Sequence, residues 1–128
     1  NLEEVKNQIF ALTDCIDNDL ILSSHDISDG GIASSIAEMT FGNEIACEVT
    51  ISGEMSKDKL LFSETGGFVL EVTSENIDAV KNTFLKYGLG VDDIGRTIVQ
   101  PSLVINDVIN LSVRKAKEAW TNGLREKL

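Results

Sequence analysis

One short segment of this chain gathers residue types that commonly bind a ligand. Residues 24–31 read Ser-His-Asp-Ile-Ser-Asp-Gly-Gly, after a short apolar run and before helix-forming residues. Two glycines at the start of a helix let a ligand approach the backbone, and the unpaired N–H groups there can hold an anion. The segment is therefore a candidate binding loop, in which six residues are candidates for ligand contact: His25, Asp26, Ser28, Asp29, Gly30 and Gly31.

The charges of this loop restrict the ligand that it could take. It contains no lysine and no Gly-Lys-Ser/Thr ending, which distinguishes it from a Walker phosphate loop. Asp26 and Asp29 would repel a bare phosphate at ~4–6 Å. The pattern favours a phosphate shared with Mg²⁺, a hydroxyl or amide group of a substrate, or no ligand at all. With no ligand, Ser28 or Asp29 caps the following helix, and His25 is a satisfied histidine at a strand end.

The overall charge argues against two classes of partner. The chain has 128 residues, of which 21 are acidic and 11 basic, and a net charge of −10. Nucleic acids and anionic membranes reward clustered Lys and Arg, so we expect neither as a partner. No apolar run approaches the ~20 residues that cross a bilayer. The basic residues at 114–117, with Arg125 and Lys127, fall in the last helix, where we expect cations to complement the helix dipole.

The cysteines and the single histidine indicate no metal site. A zinc site needs about four ligands, and the only thiol and imidazole side chains are those of Cys15, Cys47 and His25. Both cysteines lie in apolar sequence, so we expect reduced core thiols in a cytoplasmic protein. Neither cysteine has the context of a glutamine-hydrolysing Cys-His pair.

Four segments show the spacing of apolar residues by three and four that predicts an amphipathic helix. The first ends at residues 17–19, the second at 41–43 and the third at 87–88, and the fourth closes the chain. We expect each helix to bury one apolar face. These faces consist of Leu2, Val5, Ile9, Leu12 and Ile16; of Ile32, Ile36 and Met39; of Ile77, Val80 and Phe84; and of Val113, Ala116, Trp120 and Leu124.

Short apolar runs and alternating patterns between the helices predict strands. These lie at residues 20–22 running into 23–25, and at 44–51, 68–72, 90–99, 102–105 and 108–111, with a turn at Asn106 and Asp107. Several strand pairs are joined by short turns, so the sheet is expected to be mixed. The predicted fold class is α+β, a mixed β-sheet packed with helices, in a single domain of residues 1–128.

The candidate loop resembles a stretch of the large subunit of phosphoribosylformylglycinamidine synthases. Residues 24–33, followed by Ala-Glu-Met at 37–39, are similar to the family's His-Asp-Ile/Val-Ser-Asp-Gly-Gly-Leu-Ala…Ala-Glu-Met pattern, with Ile32 where Leu is usual. The version found here resembles the second half of that duplicated subunit. The fold that this implies is the C-terminal domain seen in aminoimidazole ribonucleotide synthetase-like proteins.

A second block agrees with this resemblance. Residues 60–65, Leu-Leu-Phe-Ser-Glu-Thr, resemble the family's Leu-Phe-Gly/Ser-Glu-Ser/Thr element, which precedes a strand such as residues 68–72. Many members carry Ser-Arg where this chain has Gly66 and Gly67. The resemblance adds three substrate- or nucleotide-binding candidates, which are Ser63, Glu64 and Thr65.

The resemblance implies an ATP-dependent ligase that converts formylglycinamide ribonucleotide and glutamine-derived ammonia to formylglycinamidine ribonucleotide. The amide oxygen is phosphorylated and ammonia then attacks. It implies ATP and Mg²⁺ as cofactors of the full-length enzyme, with no metal ligand and no catalytic residue in this domain. It implies as partners the N-terminal domains of the same chain, a glutaminase subunit and a small accessory subunit.

The first residue is Asn1 and not methionine, which leads us to expect the C-terminal fragment of a larger multidomain synthetase. Such a fragment would be inactive by itself. Two alternatives remain open. The domain could be a purely structural scaffold, or it could belong to another ATP-dependent synthetase of the same superfamily.

Overall fold

The computed structural model describes residues 1–42 and 45–123, and the backbone forms two compact units. The first unit consists of Asn1–Asp26 and Gly67–Asp93, and the second consists of Ile27–Gly66 and Ile94–Leu128, as far as these are described. Parts of three sequence predictions lie outside the described residues. They are the helix end at Asn43, the strand residue Glu44, and the last-helix residues Leu124, Arg125 and Lys127.

Helices and strands alternate along the described residues. The helices are α1 (Leu2–Asp17), α2 (Gly31–Phe41), α3 (Lys57–Phe62), α4 (Ile77–Lys86) and α5 (Val113–Asn122). The strands are β1 (Ser23–Asp26), β2 (Ala46–Val49), β3 (Phe68–Glu71), β4 (Gly95–Ile98), β5 (Ser102–Ile105) and β6 (Ile109–Ser112). None of the described helices combines the length and the apolar composition needed to cross a membrane.

The first unit packs α1 and α4 with an antiparallel pair of strands, β1 and β3. In this pair Ser23 lies opposite Glu71 and Asp26 lies opposite Phe68. The core joins the small side chains of α1 to the larger ones of α4, and Leu70 packs against it from β3. Its fully buried members are Ala11, Cys15, Val80 and Phe84. The predicted inward face of α4 is thereby confirmed for Val80 and Phe84.

Helix α1 forms where its apolar spacing predicts it, but it buries a different face. Ala11 and Cys15 have 0% exposure, whereas Val5 and Ile9 are each 48% exposed and Ile16 is 50% exposed. The expectation that the larger apolar residues face inward is therefore wrong for these three and for Leu2, which is 86% exposed. Small side chains at positions 11 and 15 let the two helix backbones approach closely, so they occupy the contact with α4.

The strand predicted at residues 20–22 begins later, at Ser23. Asp19 takes a left-handed φ of 54° just after α1 and redirects the backbone. Leu20 and Ile21 then pack against the core of the first unit after this turn, while Leu22 is 65% exposed. The apolar run therefore fills the core without extended pairing along its whole length.

The second unit contains a four-stranded sheet in the order β4-β2-β5-β6. Strands β2 and β5 are parallel, and the other two pairs are antiparallel, which confirms the expected mixed sheet. Strand β2 lies inside the sheet, and Ala46 and Cys47 are both buried. The predicted alternation is confirmed for Cys47 and Glu48, which are buried and exposed respectively, and it is wrong for Ala46, which is buried in a cluster with residues of α2 and α5.

Helix α2 packs against α3 and α5 in the second unit. Phe41, Ala46 and Val113 form a buried cluster there, with Ala116 packed against it. The Trp120 ring lies 5.5 Å from that of Phe41 but is 64% exposed, so the predicted inward face of the last helix is only partly buried.

The basic residues of α5 lie at the other end from the one expected. Arg114 and Lys115 are in the first turn of α5, directly after the N-cap Ser112, and the last turn contains no basic residue. A cation near a helix N-terminus opposes the macrodipole. The expectation that these cations stabilise the negative end of the helix dipole is therefore wrong for Arg114 and Lys115.

Candidate functional site

The nine predicted site residues fall into both units. His25 and Asp26 belong to β1 of the first unit. The other seven belong to the second unit, in two loops that we name the glycine loop and the glutamate loop. The glycine loop is Ser28, Asp29, Gly30 and Gly31, and the glutamate loop is Ser63, Glu64 and Thr65.

Two glycines shape the start of α2. Gly30 occupies the N-cap with a left-handed φ of 81°, and Gly31 follows with a φ of 71°. A Cβ on Gly30 would lie 2.1 Å from Ser34 Oγ, and one on Gly31 would lie 2.6 Å from the Leu61 carbonyl oxygen. Gly31 is therefore needed because the first turn of α2 packs directly on the backbone at the end of α3, and Gly30 is favoured by its left-handed φ and its contact with the Ser34 side chain.

The expected cap of α2 is corrected by this geometry. The N-cap position belongs to Gly30, which has no side chain, and not to Ser28 or Asp29. Ser28 contributes its backbone instead, since the Gly31 N–H donates to the Ser28 carbonyl oxygen over 3.0 Å. The side chains of Ser28 and Asp29 are exposed.

Glu64 connects the two loops. Helix α3 ends when the Ser63 N–H donates to the Lys59 carbonyl oxygen, and Ser63 then turns to extended geometry. The next residue places its carboxylate at the start of α2, where Glu64 Oε1 accepts from the Gly30 N–H over 3.2 Å. A carboxylate at this position is stabilised by the positive end of the helix dipole.

The hydrogen bonds at the start of α2 decide whether its backbone N–H groups are available to the phosphates of ATP. The Gly30 N–H is bonded to Glu64, and the Gly31 N–H is bonded to Ser28. In this conformation a nucleotide phosphate could reach these two donors only by displacing a group of the protein. The N–H groups of Gly30 and Gly31 therefore do not form a phosphate-binding site. The negative charges of Asp26 and Asp29 led to the same expectation from the sequence.

His25 is held by its neighbour in the first unit. Its Nδ1–H donates to the Asp26 carbonyl oxygen over 2.6 Å, and the same nitrogen lies 3.5 Å from Asp26 Oδ1. A carbonyl oxygen only accepts, so Nδ1 carries a proton. The side chain of His25 is 27% exposed and that of Asp26 is 64% exposed. This arrangement agrees with the reading of His25 as a satisfied histidine at a strand end.

The cysteines have the properties of core thiols. Cys15 and Cys47 are free and buried. Burial raises the pKa of Cys15, and it raises the pKa of Cys47 to about 11. A thiol with a raised pKa is a poor nucleophile at neutral pH, because the thiolate is the reactive form.

Metal-binding side chains do not gather in the described residues. No three side chains of His, Cys, Asp or Glu come close enough there to hold a metal ion. These residues therefore do not fit a Mg²⁺ site of their own.

One structural partner of the site was missed from the sequence. The sequence patterns predict no helix between the strands at residues 44–51 and 68–72, whereas Lys57 begins helix α3 after the N-cap Ser56. The backbone of Leu61 and Phe62 at the end of this helix forms the surface beneath Gly31. A serine before a run of helix-forming residues is a signal that could have indicated α3.

The sequence is similar to a curated subunit of a purine-pathway enzyme. It is 33% identical over 126 residues to the "Phosphoribosylformylglycinamidine synthase subunit PurL" of Methanothrix thermoacetophila. The match covers 94% of this chain and 16% of that relative. The chain thus spans much less than two thirds of the relative's length.

The fold is similar to solved structures of Thermotoga maritima PurL. The structure "complexed with ATP" superposes with a TM-score of 0.79 at 19% identity, over 87% of this chain and 21% of that one. The structure "complexed with FGAR" gives a TM-score of 0.76 at 20% identity, over 87% of this chain and 20% of that one. These likenesses confirm the expected α+β fold.

A family model covers most of the sequence. Residues 1–108 match the model described as "AIR synthase related protein, C-terminal domain". The match includes both elements of the resemblance, at residues 24–39 and 60–72. This chain therefore belongs to the family of AIR synthase related protein C-terminal domains.

Proposed function

We propose that this chain is the C-terminal domain of the second half of a PurL-type synthetase. The enzyme would use ATP and glutamine-derived ammonia to convert formylglycinamide ribonucleotide to formylglycinamidine ribonucleotide. The observation that carries the proposal is the hydrogen bond between Gly30 and Glu64, because it joins the two family motifs in one unit. The name of the curated relative and the Thermotoga maritima complexes with ATP and FGAR support the choice of substrates.

The second unit contributes side chains to substrate binding in this proposal. Asp29, Glu64 and Thr65 are exposed and flank the contact between the two loops. Hydroxyl and carboxylate groups suit hydrogen bonds to substrate hydroxyl or amide groups. Because the two glycine N–H groups are engaged, we assign the glycine loop a positioning role and not the binding of a phosphate. His25 and Asp26 of the first unit remain binding residues predicted from the resemblance.

The domain supplies binding and positioning rather than a reacting group. In the proposed reaction, ATP phosphorylates the amide oxygen of the substrate, and ammonia then displaces phosphate. The thiols of Cys15 and Cys47 are buried with raised pKa values, which suits neither to covalent catalysis. We assign this domain no metal ligand of its own, and Mg²⁺ would come to the full-length enzyme together with the phosphates of ATP.

The partners and the location follow from the same proposal. The domain would act together with the ATP-binding domains of its own polypeptide, a glutaminase subunit and a small accessory subunit. Two buried free thiols support a reducing, cytoplasmic location.

Substitutions in the full-length synthetase test the binding role. We expect Asp29→Ala and Thr65→Ala to lower kcat/KM for formylglycinamide ribonucleotide by about tenfold or more, through lost substrate contacts. The midpoint of thermal unfolding should stay unchanged, because both side chains are exposed. Glu54→Ala, on another exposed loop residue, is the matched control and should leave both quantities unchanged.

The outcomes separate the alternatives. Unchanged kcat/KM in both variants would show that the domain is a scaffold. Turnover of a different amide substrate, without turnover of formylglycinamide ribonucleotide, would show another synthetase of the superfamily. Synthesis of formylglycinamidine ribonucleotide by the isolated 128-residue chain would contradict the role of the missing domains.

A further inference from the structure

Helix α1 carries a second apolar face that the structure leaves exposed. Leu2 is 86% exposed, Val5 and Ile9 are each 48% exposed, and Ile16 is 50% exposed. Leu12 lies between them along the helix and is half-buried at the margin of the core. We name these five residues the α1 stripe. An amphipathic helix normally buries such an apolar stripe.

The α1 stripe is separate from the face that holds the first unit together. The buried face contains Ala11 and Cys15, which pack with Val80 and Phe84 of α4. Each residue of a helix advances about 100°, so the α1 stripe is centred about 120° around the helix from the buried face. The stripe is thus a second face of α1 and not an incompletely covered edge of the first.

The spacing of the α1 stripe indicates the kind of surface that would cover it. Its members are separated by three, four, three and four residues. This repeat puts the side chains on one face of the helix. In helix–helix contacts, side chains with this spacing pack as knobs into holes on the neighbouring helix. All five side chains of the stripe are apolar. A partner that covers them would therefore bury no unpaired charge of the stripe.

The size of the α1 stripe argues for a partner in the same polypeptide. A stable complex between separate chains buries about 20–30 residues on each side, whereas the stripe offers five side chains. A segment tethered to the domain needs less area, because the covalent link gives it a high effective concentration. The chain covers only 16% of its curated relative and 21% of the Thermotoga maritima PurL chain, so these relatives have a large amount of further polypeptide.

We propose that the α1 stripe docks against an α-helix from another part of the synthetase polypeptide. This inference rests on the proposed function in one respect, which is that the domain is part of a longer chain. It assigns to Val5, Ile9 and Ile16 a role in holding the domain in the enzyme. It requires no contact of these residues with substrate.

Paired substitutions in two settings test the docking. Ile9→Gln combined with Ile16→Gln removes the apolar surface while keeping good helix formers. Leu85→Gln on α4 is the matched control, because Leu85 is 69% exposed and lies outside the stripe. The readouts are hydrogen exchange of the α1 amides in the full-length enzyme and the urea midpoint of the isolated 128-residue chain.

We expect the double variant to accelerate α1 exchange in the full-length enzyme by tenfold or more, with the urea midpoint of the isolated chain unchanged. The control should change neither. Unchanged α1 exchange in the full-length double variant would overturn the proposal. A dimer of the isolated chain that the double variant dissociates would also overturn it, because a second copy would then be the occupant.

The exchange measurement is independent of catalysis. An enzyme that makes no formylglycinamidine ribonucleotide but shows the accelerated exchange would contradict the proposed function and support the docking. An enzyme that makes formylglycinamidine ribonucleotide but shows unchanged α1 exchange would support the proposed function and contradict the docking.

Discussion

The backbone N–H of Gly30 donates to the carboxylate of Glu64 over 3.2 Å, across 34 residues of sequence. The contact brings the glycine loop and the glutamate loop together at the N-terminus of α2. It puts a negative charge of the protein at the position where the helix dipole would favour an anionic ligand. The start of α2 is therefore a structural junction whose neighbouring side chains remain exposed.

Removing the Glu64 carboxylate should weaken the second unit modestly. We expect Glu64→Ala to lower the free energy of unfolding by about 0.5–1.5 kcal/mol, because one hydrogen bond and one favourable charge at the helix start are lost. Glu64→Gln should lose less, since its amide oxygen can still accept from Gly30. Urea unfolding measures both, with Glu54→Ala as the exposed control. Equal stability of Glu64→Ala and the unsubstituted chain would contradict a structural role for the contact.

Adding a methyl group to Gly31 should be far more damaging. The φ of 71° disfavours any L residue, and the new Cβ would lie 2.6 Å from the Leu61 carbonyl oxygen. We expect Gly31→Ala to lower the free energy of unfolding by about 2–4 kcal/mol, from backbone strain and the forced shift of α3. Gly42→Ala is the control, because Gly42 has a φ of −66° and its Cβ position is more than 4 Å from every described residue distant from it in the chain. Similar losses in the two variants would show that the close packing at Gly31 is unimportant.

Asn106 should stabilise the turn between β5 and β6 in two ways. Its φ is 53°, and its side chain accepts from the Ile51 N–H over 2.5 Å and donates to the Ile51 carbonyl oxygen over 2.8 Å. We expect Asn106→Ala to lower the midpoint of urea unfolding, with a loss of about 2–4 kcal/mol from two hydrogen bonds and the strained φ.

Two further variants separate these causes. Asn106→Gly relieves the strain but still lacks the side-chain hydrogen bonds, so its loss should be smaller than that of Asn106→Ala. Asp107→Ala changes a residue with a φ of 55° and should show mainly the strain. If Asn106→Ala and Asp107→Ala were equally stable, the bonds to Ile51 would contribute nothing.

Stability should fall at alkaline pH because of Cys47. Burial raises the pKa of this thiol from 9.0 to about 11 in the folded chain. Below pH 9 the thiol is protonated in both states, and its contribution is fully present. Between pH 9 and 11 only the unfolded state releases the proton, so folding loses about 1.4 kcal/mol per pH unit.

The comparison with Cys47→Ala isolates this effect. Urea unfolding at pH 8, 9 and 10 should give a steeper decline for the unsubstituted chain than for the variant. The other titrating groups are shared by both proteins, so their contributions cancel in the difference. Parallel declines would show that the Cys47 pKa is the same in the folded and unfolded chain.

The order of the elements could be predicted from local pattern, and the burial of α1 could not. Periodicity located α1, α2, α4 and α5, and alternation or turn residues located β3, β5 and the Asn106 turn. Apolar spacing alone also suggested that Ile9 and Ile16 were core residues, whereas they are about half exposed. A helix with two apolar faces gives no local sign of which face its own unit will cover, because that choice depends on α4.

The candidate site shows the same division. The motifs at residues 24–31 and 60–65 were recognisable separately, since the residue types and their order are local properties. Their contact through Gly30 and Glu64 depends on α3, a short helix that the periodicity of the sequence did not predict. The cap of α2 was also misassigned to Ser28 or Asp29, because the left-handed backbone that puts Gly30 at the N-cap has no local signature that separates it from a side-chain cap.

The sequence by itself determined the family, the α+β class and the positions of most helices and strands. These follow from residue order and periodicity, which act over a few residues along the chain. Only the tertiary structure decided that Glu64 occupies the start of α2, that Gly31 is held against the backbone of α3, and that the α1 stripe is left uncovered. Such relationships depend on groups distant in sequence meeting within hydrogen-bond or van der Waals range, which no local pattern encodes.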